Sequence, residues 1–175
     1  MGMTGRASKQ RPQPTVLGWR EWVGLPGLGV RRIKAKLDTG ARTSSLHAFR
    51  IRRFQSDGHD MVRFEVHPVQ RSTAATIEVT ARVIEERRVR DSGGRVEIRP
   101  VIETEVELAG ERWPIELTLT RRDEMGFRML LGRQALRRRV LVDPALSFGA
   151  DRRCARGKQE PRSGIAPFSS SKEEE

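Results

Sequence analysis

A chain of 175 residues, 36% hydrophobic and with a mean hydropathy of −0.59, has room for one domain with tails and is too polar for a membrane-embedded protein. No apolar run approaches the roughly 20 residues of a membrane span. Residues 1–14 carry Arg6, Lys9 and Arg11 without the apolar stretch of a secretory signal, and the single cysteine, Cys154, excludes an internal disulfide, so a reducing, cytoplasmic setting is expected.

The net charge of +11 is unevenly spread. Residues 16–150 hold 25 Lys+Arg against 18 Asp+Glu, leaving +7 on the expected domain. Such a surface favours acidic partners, although an Arg-rich composition would produce it too, since five of the 34 cations are Lys. Residues 1–15 and 151–175 are rich in Ser, Pro, Gly, Arg and Lys, and the chain ends Glu173-Glu174-Glu175. Both segments are expected to be disordered tails.

Between the tails the pattern is strand and turn. Val16–Leu25 carries Trp19 and Trp22 ahead of Pro26-Gly27. Ile33–Leu37 alternates, with Ile33, Ala35 and Leu37 on one face and Lys34 and Lys36 on the other. Ser45–Phe54 and Met61–Val69 alternate on either side of Asp57-Gly58, a hairpin signal. Ile77–Val83 and Arg87–Val89 lead to the tight-turn cluster Asp91-Ser92-Gly93-Gly94. Val96–Ile102 returns, Glu103–Leu108 alternates, Ala109-Gly110 turns, and Trp113–Thr120 alternates again. Met129-Leu130-Leu131-Gly132 is a short apolar strand ending in glycine, and Arg133–Arg138 alone reads as a helix. Many short strands, frequent turns and one short helix predict an all-β, closed barrel-like domain.

Chemistry concentrates at Asp38-Thr39-Gly40. A strand that ends in a carboxylate presents it at an edge that substrate can reach. Gly40 allows a sharp turn that brings amides to the carboxylate, and Thr39 can bond locally. Acid proteolysis uses such a group: two nearby carboxylates share one proton, the ionised one takes a proton from water, and the protonated one polarises the scissile carbonyl.

Ala35–Leu46 and Met129–Leu136 together resemble the retropepsin-like aspartic peptidases. In that family an apolar-apolar-Gly strand passes behind the Asp-Thr-Gly loop and braces it, which assigns Gly132 that task, and Ala41 fits the position after the glycine. The likeness is nearer to a bacterial subfamily long labelled "ATP-dependent zinc protease". It runs through Leu37–Ala48, Val89–Gly94, Arg99–Ile102, Trp113, Leu117–Thr120, Phe127–Arg133 and Leu141–Pro144. The resemblance implies a retropepsin-like barrel acting as an aspartic endopeptidase on a peptide or protein, with Asp38 catalytic and no cofactor.

The second carboxylate is the open question. Asp91-Ser92-Gly93 is a poor candidate: Arg90 precedes it, it sits at a hairpin tip, and no second apolar-apolar-Gly segment follows. A homodimer that supplies Asp38 twice is the better solution. Residues Asp91, Ser92, Gly93 and Gly94 then read as a flap over the substrate. Arg42 departs from the wider family, where an acid usually follows the alanine. With Arg133 it leaves two cations beside the loop, a pair suited to acidic or glutamylated substrates. The resemblance adds that relatives often occur beside glutamate ligases. His47 is a candidate substrate contact or loop-shaping residue.

Competing readings have weaker support. His47, His59 and His67 are the only histidines, with no His-Glu-x-x-His helix and no cysteine pair, so no metal site is expected. Gly24-Leu-Pro-Gly-Leu-Gly29 lacks the lysine of a nucleotide-binding loop and reads as a turn. Arg50–Arg53, Arg87–Arg90 and Arg137–Arg139 could meet phosphates, but tyrosine is absent and their alternation fits solvated strand faces. Nucleic acid is therefore set aside as the main partner. A catalytically silent peptide- or nucleic-acid-binding module on the same fold is the alternative.

Overall fold

The computed structural model describes residues 13–69, 75–90, 93–121 and 126–150. Most of both predicted tails, together with Asp91 and Ser92 of the proposed flap, lies outside the described residues. Twelve strands form: β1 (Thr15–Gly18), β2 (Arg20–Leu25), β3 (Val30–Asp38), β4 (Ser44–His47), β5 (Phe49–Ser56), β6 (His59–Val66), β7 (Ile77–Arg82), β8 (Glu85–Arg90), β9 (Val96–Leu108), β10 (Glu111–Thr120), β11 (Met129–Gly132) and β12 (Val140–Asp143). One helix, α1 (Arg133–Leu136), and a 3-10 turn at Pro26–Leu28 complete the described elements. No helix among these residues is long and apolar enough to cross a membrane.

Seven strands run in the order β10-β4-β11-β3-β2-β9-β8, and β9 also pairs with β10, so six of them form a ring. The all-β expectation is met, with one qualification on closure. The β2–β9 seam rests on the single pair Gly24–Glu107, beside a register shift between Val23 and Leu25. A bulge there turns β2 into the 3-10 turn, and the barrel does not close strictly. Of the Gly24–Gly29 segment, Gly24 and Leu25 end β2 and Pro26–Leu28 form the turn, capped by Gly29 at φ +69°.

Inward faces of these strands supply the core, including Leu25, Val30, Ile33, Leu46, Ile102, Leu117, Met129 and Leu131, all essentially without solvent exposure. A three-stranded sheet, β5-β6-β7, adds Val62, Phe64 and Val66 to the same apolar cluster. Both predicted two-residue hairpins form: Asp57-Gly58 (φ +51° and +75°) joins β5 to β6, and Ala109-Gly110 (φ +54° and +83°) joins β9 to β10. Left-handed backbone at both turn positions matches the twist of the flanking strands.

Two continuous predicted strands break in the fold. Val16–Leu25 divides at Trp19, because β1 leaves the barrel to pair in parallel with β12. Gly18 permits the crossing: a Cβ there would lie 2.4 Å from the Leu146 carbonyl oxygen. Ser45–Phe54 divides at Ala48, with β4 in the barrel and β5 in the second sheet. Conversely, Val96–Ile102 and Glu103–Leu108 merge into one 13-residue strand. The helix stops at Leu136, two residues short of the predicted end, and Arg138 takes φ +65°.

Candidate active site

The Asp38 loop is built from three directions. β3 delivers the carboxylate at its last residue, and β11 runs parallel beside it in a register that pairs Leu131 with Leu37 and Gly132 with Asp38. β4 pairs with the other edge of β11, so the returning chain beyond the loop is fixed as well. Gly132 is required by proximity: an added Cβ would meet the Thr43 carbonyl carbon and oxygen at 2.6 Å. Its amide donates to Ser44 Oγ at 3.2 Å.

Within the loop, Asp38 Oδ1 accepts from the amides of Gly40 (2.9 Å) and Ala41 (3.1 Å). Gly40 is not in left-handed backbone; what its missing side chain provides is room, since a Cβ would stand 3.1 Å from that same oxygen. The Ala41 and Arg42 carbonyls accept from the amides of Arg133 (2.8 Å) and Gln134 (3.1 Å). Arg133 Nη1 reaches back to the carbonyls of Thr39 (3.0 Å) and Gly40 (2.9 Å). The structure therefore gives Arg133 a loop-holding task that its spacing did not suggest.

Asp38 Oδ2 lies 3.2 Å from Lys36 Nζ. Partial burial pushes the carboxyl up, but the Lys36 ammonium and the two loop amides outweigh it and hold Asp38 below the usual carboxylate range. A carboxylate so held is ionised at neutral pH.

Asp38 opens on a cleft of about 840 Å³ walled by the loop, β8 and Arg99 of β9. The described wall is cationic, with Arg42, Arg87, Arg88, Arg90 and Arg99 against Asp38 and Glu85. Arg87 is neutralised by Glu85 and by Glu116 at 2.7 Å, and buried Arg99 by Glu97 at 2.7 Å. Arg42 is exposed and also borders a second hollow of about 550 Å³ with Thr39, Arg133, Leu136 and Val140. Gly93 and Gly94 occupy the turn between β8 and β9, the latter at φ +82° with open space around it.

His47 is buried at the end of β4, outside the described lining of either hollow. Its ring meets Phe49 edge-on at 4.2 Å, and Phe49 stacks on His67 at 4.0 Å. Phe49 thus separates two of the three histidines. Among the described residues no three His, Cys, Asp or Glu side chains converge as metal ligands, so the zinc in the subfamily label has no fitting donor set there.

A model of the RimB-like family, described as "Retropepsin-like aspartic endopeptidase RimB", matches residues 16–153. The chain belongs to this family. A Parasynechococcus marenigrum protein named "Probable alpha-L-glutamate ligase" is 54% identical over 129 residues, 74% of this chain and 28% of the relative. One of the same name from Shewanella halifaxensis is 48% identical over 133 residues, 76% of this chain and 29% of the relative. The chain spans under a third of the length of these curated relatives. These relatives are named as ligases and do not carry the zinc-protease label of the sequence resemblance. Lpg0085 of Legionella pneumophila, a protein described as of unknown function, superposes with a TM-score of 0.66 at 28% identity, covering 78% of this chain and 98% of that one.

The residues missed in the sequence are Lys36 as the Asp38 partner and the β8–β9 arginines of the cleft. Lys36 had a signal, since it stands two residues before Asp38 on the same strand face. Arg88 and Arg90 lay in a cationic run and Arg99 in a segment of the resemblance, but their place beside the loop comes only from the pairing of β8 with β9, β9 with β10 and β10 with β4.

Proposed function

We propose that this chain is one half of an aspartic-type peptidase, in which Asp38 and its copy across a two-fold axis activate water for peptide-bond hydrolysis. The observation that carries this reading is the Asp38 carboxylate: fixed by two amides, braced by Gly132, and open to a cleft large enough for several residues of a peptide. One carboxylate of such a pair is ionised and takes a proton from water; the other is protonated and polarises the scissile carbonyl. The second described carboxylate of the cleft, Glu85, is already paired with Arg87, which favours a second copy of the chain as the source of the partner. The β8–β9 turn then acts as a flap.

The substrate class we infer is acidic, on the strength of Arg42, Arg88 and Arg90 and the +7 charge over residues 16–150. The glutamate ligase named in the relatives is consistent with a glutamate-rich substrate. A single cysteine fits a reducing compartment, and we place the reaction in the cytoplasm.

The test is cleavage of glutamate-rich and neutral peptides by wild type, by Asp38→Asn and by mixtures of the two. Light scattering should give about twice the 19.9 kDa monomer mass. Excess Asp38→Asn should suppress wild-type activity beyond simple dilution, and glutamate-rich peptides should be cut faster, with the gap narrowing as salt rises. Full activity of a strict monomer would defeat the paired-site reading. One observation favours a second reading: the curated relatives are named as ligases and extend far beyond this segment. A silent binding module would hold glutamate-rich peptides without cutting them, and Asp38→Asn would not alter that binding.

A further inference from the structure

The two oxygens of Asp38 are engaged differently. Oδ1 is committed to the loop through the Gly40 and Ala41 amides, while Oδ2 is held by Lys36 alone. The Lys36 side chain is 44% exposed and that of Asp38 22%, so the ammonium can swing into solvent more readily than the carboxylate can turn. Around the pair stand mostly cations: Arg20, opposite Lys36 on β2; Arg42 of the loop; Arg133, tied to the loop carbonyls; Arg88 and Arg90 on β8 and Arg99 on β9. Arg87 and Glu85 are paired with each other. No described carboxylate of the cleft competes for Lys36.

In a two-carboxylate site one proton lies between facing oxygens. With Oδ1 bound to its own loop, Oδ2 is the oxygen left to face a partner. On the reading that Asp38 works in a pair across a homodimer, we propose that Lys36 is a positioning residue that occupies Asp38 Oδ2 in the separate subunit and must release it for the paired site to form. The contact opposes assembly. After release, Lys36 remains on the same strand face, two residues from the pair, where its charge favours the doubly ionised, inactive form.

Lys36→Met removes the charge at a half-exposed position and keeps much of the stem. Two half-exposed ion pairs need not be broken per dimer, so the dimer dissociation constant, measured by sedimentation near the activity optimum, should fall roughly three- to thirtyfold. In the Asp38→Asn background the same substitution should leave that constant unchanged. Both limbs of the kcat/KM pH profile should move to higher pH in Lys36→Met, and Lys36→Arg should restore the wild-type profile. An unchanged dissociation constant and unchanged limbs in Lys36→Met, with wild type dimeric and Asp38→Asn inactive, would overturn the role of Lys36 and leave the paired site standing. An active Asp38→Asn would overturn the paired site and the Lys36 proposal with it.

Discussion

Among the described residues Asp38 and Glu21 are each held by more than one backbone amide, and they differ in what is left over. Glu21 of β2 is fully buried. Its Oε1 accepts from the amides of Gly18 (2.7 Å) and Gly149 (2.8 Å), and its Oε2 from Ala150 (3.1 Å). It joins β1 to the segment after β12, where Phe148 stacks on Trp22. Asp38 has two amides on one oxygen, and its other oxygen, beside the cleft, faces the half-exposed Lys36. Buried amides that spend both oxygens make a structural clasp, since nothing can approach and no proton can be shared. Amides that spend one oxygen fix a carboxylate in place and leave the other for chemistry. The difference lies in which lone pairs remain, rather than in the number of hydrogen bonds.

Exchanging the two roles should fail most clearly at Asp38. Asp38→Asn keeps the shape and should lower kcat on a glutamate-rich peptide by roughly a thousandfold or more, while the thermal midpoint moves by only a few degrees. Retention of more than a few per cent of activity would remove the distinction drawn here. Glu21→Ala should do the reverse. It leaves three amides, Gly18 and Ala150 among the buried ones, without an acceptor, at a cost of about 2–4 kcal/mol in denaturant unfolding. Activity per folded molecule should stay near wild type.

Gly132→Ala tests the brace. Its Cβ must displace the Thr43 backbone, so about 1–3 kcal/mol of stability should be lost, together with activity, as the loop shifts. Arg88→Ala, in turn, should reduce the preference for glutamate-rich over neutral peptides by about tenfold at low salt, with little change on neutral peptides.

The smallest effect is the pH dependence of stability at Asp38. Its folded carboxyl is held below the ordinary range, so its contribution is present above the unfolded-chain value and is lost as pH falls through the lowered one. The stability difference between wild type and Asp38→Asn should therefore be present at neutral pH and fade in acid. Thermal melts at the two pH values measure it, and a gap that widens in acid would contradict the ion pair with Lys36.

Much of this was legible in the chain because it is local. Alternation in Ile33–Leu37 set the buried face of β3, Asp57-Gly58 and Gly110 marked their turns through left-handed backbone that Asp and Gly tolerate, and Asp38-Thr39-Gly40 with Met129–Gly132 marked the two halves of the candidate site. What tertiary structure decided is the meeting of distant segments. Alternation cannot say where a strand changes partner, so the breaks at Trp19 and Ala48 and the weak seam at Gly24 were not visible. Gly132 faces Asp38 across 94 residues only because β11 lies parallel to β3, and Arg133 grips the loop for the same reason. Glu21 looked like any strand glutamate until its neighbours arrived from 128 and 129 residues away to spend its oxygens. Periodicity encodes which face of a strand is apolar; which groups then complete a carboxylate's hydrogen bonds is fixed by the packing of strands far apart in the chain.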